Sequence, residues 1–193
     1  GAGTDSSEPI HRFLADRRDP VNGVPVIATD LQVDAPYAAL ALGTAAHSLE
    51  LDDVVNAASL HPAVSVMSAA LPAAHMAGSS GRELMEAIVA GYEVTVKLGI
   101  ALDPSAHYER GYHPTGTCGT FGAAVAAAKI LKLDQQGMIN ALGIAGSQAA
   151  GSMEFLTDGA FTKRFHAGWS AHSGLMAALL AKERSEEHTS ELQ

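Results

Sequence analysis

The chain has 193 residues, 47% of them hydrophobic and 17% charged, with a formal charge of -9 and a pI near 5.4. That is enough apolar surface for one packed core, while the 12 scattered Lys and Arg residues exclude the clustered cationic footprint that nucleic-acid backbones require. The single cysteine, Cys118, closes no intramolecular disulfide and forms no Cys-x-x-Cys pair, which points to a reducing cytoplasm.

Residues 1–33 are polar. Asp5, Glu8, Arg12, Asp16, Arg17, Arg18 and Asp19 interrupt any apolar run, so neither a signal peptide nor a membrane span is expected there. Asp19-Pro20 and Asn22-Gly23 read as turns before one strand-like run, Val24 to Ala28. This segment is expected to be poorly ordered.

From residue 34 to 183 the alanine content rises and apolar residues recur at three- and four-residue spacing, the pattern of packed helices. The reading is a single all-α domain with six helices. The first is expected from Pro36 to Asp52, and the second from Pro62 to about Met76, stopped by Gly78. The third opens on Ser80-Gly-Arg-Glu83, a capping-box spacing, and sets Leu84, Ile88, Tyr92 and Val96 on one stripe expected to face the core. The fourth, Thr117 to Leu131, gathers Gly119, Gly122, Ala123, Ala126 and Ala127 on one face. Such a face lets neighbouring backbones approach, which predicts a central helix. The fifth starts at the cap Asp134 and runs to about Ala150, and the last spans His166 to Glu183. Residues 184–193, Arg-Ser-Glu-Glu-His-Thr-Ser-Glu-Leu-Gln, share none of this composition. They are expected to be the in-frame translation of a sequencing adapter rather than part of the fold.

Nine histidines are many for this length, and several stand at helix starts. His61-Pro62 opens the second helix and His113-Pro114-Thr-Gly-Thr117 the fourth, where backbone N–H groups favour anions. Lys163, Arg164 and His166 lie within four residues beside Gly168 in an otherwise acidic chain, a candidate anion-binding corner. Glu50, Asp52 and Asp53 crowd the expected end of the first helix, where negative charge opposes the dipole and needs a reason. With His47 they spell His-x-x-Glu-x-Asp-Asp, which lacks the Glu-x-x-His pairs of di-iron bundles, so no metal is expected. Gly116-x-x-Gly119-x-x-Gly122 has no preceding strand and no Walker lysine, and helix packing explains it better than a nucleotide loop does. Cys118 sits inside that small-residue helix and reads as a buried structural thiol.

Several segments occur in an order that carries a resemblance: Tyr37-Ala-Ala-Leu, Gly43-Thr-Ala-Ala-His-Ser-Leu-Glu-Leu-Asp-Asp53, His61-Pro62, Gly91-Tyr-Glu93, Tyr112-His-Pro-Thr-Gly-Thr117, Gln148-Ala-Ala-Gly151 and Thr162-Lys-Arg-Phe-His166. Over Val24 to Glu183 the chain resembles the MmgE/PrpD family. The resemblance implies part of a large helical domain, without the family's α/β lid, from an enzyme that is a homodimer in its full-length form. It also implies a lyase that uses no cofactor on small polycarboxylates. The activities found in the family are 2-methylcitrate dehydration, cis-aconitate decarboxylation and iminodisuccinate epimerisation.

Carried over by motif, the family's active-site histidines fall on His61 and His113, its loop lysine on Lys163, and its acidic group before the Asp-Asp pair on Glu50. The decarboxylase branch has Asp at that last position and a small hydroxyl residue where this chain has Val54, and this chain carries one extra residue before His61. Dehydration is therefore the expected reaction, with decarboxylation or epimerisation as alternatives. The expected roles are proton transfer for His61, a second donor at its helix start for His113, and orientation of an imidazole for Asp53. Lys163 completes the expected catalytic set as a partner of a substrate carboxylate, and Glu50, Arg164 and His166 form the expected substrate-binding set. A non-catalytic helical oligomerisation module is the rival from another class.

Overall fold

The computed structural model describes the backbone of residues 1–190 and the side chains of residues 1–183. Local signals in the sequence set most helix starts. Ser80 Oγ accepts from the Glu83 backbone N–H at 3.3 Å while the Ser80 N–H donates to Glu83 Oε2 at 2.8 Å, so the expected capping box opens α4 (Gly81–Ala101). The Ser80 N–H and the Ser80 hydroxyl, both donating to Glu83 Oε2 at 2.8 Å, followed by Lys132 at 3.2 Å, hold the Glu83 carboxyl down at about 2. Asp134 caps α7 (Gln135–Gln148) by accepting from Gly137 N–H at 2.7 Å, and α3 (Ala63–Ala77) ends at Gly78 with φ 63°, the left-handed cap that glycine takes without a Cβ penalty.

The remaining helices are α1 (Glu8–Ala15), α2 (Ala35–His47), α5 (Pro104–Glu109), α6 (Pro114–Ile130), α8 (Phe155–Asp158) and α9 (Thr162–Ser190). The fold is mainly helical, with one small antiparallel ribbon in which β1 (Val24–Pro25) pairs with β2 (Gln32–Val33), Val24 opposite Val33. No helix among the described residues is long and apolar enough to cross a membrane.

Three expectations need correction. The polar start was expected to be poorly ordered, yet it carries α1 and the ribbon, and Leu14, Val24, Val26, Leu31 and Val33 are buried in the main core. Five apolar side chains on the core side suffice to dock it, while Phe13, Val21 and Ile27 stay exposed. The first helix stops at His47, five residues early, and Glu50 takes φ 52°, so all three acids of that region lie in a loop. On α4 the fully buried stripe is Ala87, Gly91, Thr95 and Gly99; Leu84, Ile88, Tyr92 and Val96 flank it half-buried. Small residues win the contact line because it brings α4 closest to its neighbour. α1, α5 and α8 lay outside the six-helix reading. The expected adapter-derived tail falls on residues whose side chains, or at 191–193 whose backbone too, lie outside the described residues.

α6 is the hub. It touches α3, α4, α7 and α9, and its side chains are buried on nearly every side, as its small residues predict. At the crossing with α4, a Cβ on Gly122 would collide with Thr95 Oγ1 and stand 2.6 Å from the Gly91 carbonyl oxygen. A second crossing joins α2 to α9, where a Cβ on Gly168 would collide with Thr44 Oγ1 and the Leu40 carbonyl.

Gly122→Ala and Gly143→Ala should therefore change stability in opposite directions. Each swap gains about 0.5–1 kcal/mol of helix propensity. At Gly143 nothing lies within 4 Å of the new Cβ, so the gain stands. At Gly122, overpacking costs about 1–3 kcal/mol, and net destabilisation is expected. Urea melts of the two variants check both signs.

Candidate active site

The ends of four helices and one loop converge. His47 closes α2, His61 precedes α3 by one proline, His113 is the N-cap of α6, and Lys163, Arg164 and His166 occupy the first turns of α9. The loop from Ser48 to Pro62 brings in Glu50, Asp52 and Asp53. The imidazoles form a string with ring centroids 4.9 Å apart for His61–His47, 6.1 Å for His47–His113 and 5.5 Å for His113–His166. Phe155 of α8 lies edge-on to both His113 and His166, closing the dry end of the string.

Each of the three acids has a distinct partner, which answers why negative charge is tolerated here. Glu50 bridges Lys163 Nζ at 2.9 Å and Arg164 at 3.1 Å. The hydrogen bond from Lys163, with the charges of Lys163 and Arg164, holds its carboxyl below the usual carboxylate range against a modest burial penalty. Its left-handed backbone costs on the order of 1 kcal/mol for a residue with a Cβ, and the two ion pairs hold it there.

Asp53 uses its side chain structurally: Oδ1 accepts from the Ala63 N–H at 3.2 Å at the start of α3, and Oδ2 accepts from Tyr92 Oη at 3.0 Å. Burial, then the negative charge of Asp53, pushes the Tyr92 phenol up. The carboxylate among the imidazoles is instead Asp52. Its Oδ2 accepts from His47 Nδ1 at 2.8 Å and lies 3.1 Å from His61 Nδ1. Asp53 meets an imidazole through its backbone rather than its side chain: His61 Nδ1 donates to the Asp53 carbonyl at 2.8 Å. A carbonyl oxygen can only accept, so His61 carries its hydrogen on Nδ1 and presents a lone pair on Nε2.

Burial sets the charge state of the rest. It pushes His113 down to about 3, helped by the neighbouring His166, His47, Lys163 and His61. Burial also lowers His166, with His47 adding to the effect. His47 is lowered by burial even though Asp52 pulls the other way. His113 and His166, whose Nδ1 atoms stand 3.3 Å apart, are thus neutral groups of which one donates and the other accepts. Positive charge at the site comes from Lys163 and Arg164. A neutral His166 contributes hydrogen bonding to the corner, not charge.

Among the described residues, one set of donors is close enough to share a cation: His47, Asp52 and His61, with donor atoms within 4.8 Å of one another. Both Nδ1 atoms already face the same Asp52 oxygen, so a cation would have to displace these contacts. His47 and Asp52 were quoted in the His-x-x-Glu-x-Asp-Asp motif but given no role; what brings them together is the turn after His47, which sequence periodicity does not mark. Cys118 is buried, and burial raises its thiol.

The depressed histidines make the protein acid-sensitive. A histidine whose folded pKa lies below its unfolded value near 6.5 supports folding fully above that pH, and the contribution is lost as pH falls toward the folded value. For His113 this window runs from about 6.5 to about 3. The melting temperature should therefore be lower at pH 5 than at pH 7.5. An equal or higher value at pH 5 would contradict the burial argument.

The MmgE/PrpD N-terminal domain model matches residues 1–186. The chain is 31% identical over 175 residues to a cis-aconitate decarboxylase-like protein, oryM, of Aspergillus oryzae, covering 87% of this chain and 36% of that protein. It is 30% identical over 168 residues to the cis-aconitate decarboxylase of Aspergillus terreus (84% and 34%) and 32% identical over 157 residues to that of Homo sapiens (79% and 32%). The chain thus spans about a third of the length of these relatives. By its domain match, and by its likeness to these proteins, the chain belongs to the MmgE/PrpD family.

Proposed function

We propose that this chain supplies the histidine-rich half of the active site of a cofactor-independent lyase acting on a small polycarboxylate. The observation that carries the reading is the grip of Lys163 and Arg164 on the carboxylate of Glu50, at 2.9 and 3.1 Å, beside the string of imidazoles. Two cations that hold one carboxylate in this way can hold a substrate's. In this reading Glu50 keeps the two side chains in place, and an incoming carboxylate competes for them. In dehydration His61 Nε2 takes the proton from the carbon next to a substrate carboxylate, the C–H electron pair forms the double bond, and the hydroxyl on the neighbouring carbon leaves and departs as water with that proton; in decarboxylation the imidazole instead delivers a proton to the carbon that loses CO2. The neutral pair His113 and His166 donates one hydrogen bond to a substrate oxygen. A metal has no part in these steps.

Dehydration of a 2-methylcitrate-like substrate is the first form of this proposal, because Glu50 and Val54 depart from the decarboxylase pattern. Decarboxylation is the second form, favoured by relatives named as cis-aconitate decarboxylases. A homodimer in the full-length form and a cytoplasmic location belong to the same proposal.

The test follows the reading frame in source DNA on both sides of this chain and assays the encoded protein on 2-methylcitrate, cis-aconitate and iminodisuccinate. Turnover of one of them supports the reading and selects the reaction; turnover of none overturns it. In the protein that turns over, His61→Ala should lower kcat by about 10²- to 10⁴-fold, the usual contribution of a general base. Lys163→Ala should lower kcat/KM by about 10- to 100-fold, equivalent to losing one charged hydrogen bond. A His61→Ala variant within about threefold of wild type would remove His61 from proton transfer.

A further inference from the structure

We infer that Asp52, anchored by His47, is the charge partner of His61: it holds a negative charge beside the imidazole that meets a positive one only when His61 takes up a proton. The inference rests on the proton-transfer role proposed for His61 and extends it to two residues outside the sequence-derived site.

Asp52 has a side-chain exposure of 6% and His47 of 0%. A carboxylate this buried is costly unless it is paired. Among the described residues, its ion-pair contacts are the imidazoles of His47 and His61 alone, while the nearby cations Lys163 and Arg164 both face Glu50. His47 donates Nδ1–H to Asp52, and its own Nε2 has no hydrogen-bond partner, nor has Asp52 Oδ1. The resting arrangement therefore contains a buried acid with a neutral donor on one side, two unfilled acceptor atoms, and His61 Nδ1 at 3.1 Å.

The Asp53 carbonyl already sets the His61 tautomer, so a second acceptor is not needed for orientation. What Asp52 adds is charge. When His61 Nε2 gains a proton, the imidazolium stands next to a carboxylate that no other cation neutralises. The attraction exists in the proton-transfer state and not before it, which is the condition for lowering a barrier rather than merely tightening binding. His47 matters because its 2.8 Å hydrogen bond fixes where Asp52 Oδ2 points: its imidazole is packed between those of His61 and His113 and cannot swing away with the carboxylate.

Two measurements test this. In the active protein obtained as above, Asp52→Asn should lower kcat by about 10²- to 10⁴-fold with KM changed by less than about threefold, and Asp52→Glu should recover part of the loss. His47→Phe should lower kcat by a smaller factor, by freeing the carboxylate. If Asp52→Asn leaves kcat within about threefold while His61→Ala abolishes turnover, the charge role is wrong and the proton-transfer reading survives. If His61→Ala also has no effect, it is that reading which fails.

The second measurement needs no turnover: ring nitrogen NMR of the histidines in the 193-residue chain. The wild type should show Nδ1–H tautomers at both His47 and His61. In Asp52→Ala, His47 loses its only acceptor and should become a tautomer mixture, while His61 stays Nδ1–H on the Asp53 carbonyl. An unchanged His47 in a folded Asp52→Ala variant would show that Asp52 and His47 are not coupled, and would overturn the anchoring half of the proposal.

Discussion

Where α6 crosses α4, the Gly122 and Gly91 backbones stand so close that neither position can accept a Cβ without displacing a neighbour. The same is true where α2 crosses α9 at Gly43 and Gly168. The site depends on these approaches. His113 begins α6, His47 ends α2, and the cationic corner begins α9, so the distances between imidazoles are set by how near the helix axes come. With alanines or larger residues on the contact lines the axes would separate by an ångström or more, and a string with 5 to 6 Å centroid spacing would fall apart into isolated rings. Small residues usually weaken helices by lost propensity and lost apolar burial. Here the close packing they permit across several interfaces offsets that loss.

Such packing also dictates the chemistry. Tight helices exclude water, and dry surroundings keep imidazoles neutral. A chain with nine histidines might be pictured as a pool of positive charge for binding polyacids, but the burial of His47, His113 and His166 makes them carriers of hydrogen bonds instead. Charge is left to Lys163 and Arg164, which sit nearer to solvent at the mouth. Cations toward the rim and neutral imidazoles within form a division of charge that follows from depth.

Much of this was legible in the sequence. The capping box at Ser80, the cap at Asp134, the Gly stop at 78 and the small-residue helix around Gly122 each have a local physical cause, and the structure follows them. His61, His113 and Lys163 were singled out because helix starts and clustered cations are local features too, and the structure brings their helix ends together. What was missed is non-local. Asp53 was given the orienting carboxylate, but adjacent residues in a loop point in different directions, and only the early end of α2 at His47 decides that Asp52 turns inward. The core-facing stripe of α4 was placed on its largest apolar residues, whereas the closest contact goes to the smallest, because proximity between backbones, not hydrophobicity, selects that line.

The loop before His61 shows how such a site can vary without losing its base. Both ends of the loop are pinned: Val55 N–H donates to the Leu60 carbonyl at 3.0 Å, Asp53 caps α3, and the His61 N–H donates to Thr115 Oγ1 at 3.1 Å. Ser59 takes φ 50° within the turn that these contacts close. The position of His61 is thereby fixed from both sides. Side chains on the solvent side of the pinned loop, Glu50 and Val54 first among them, can then change while the imidazoles stay held by packing.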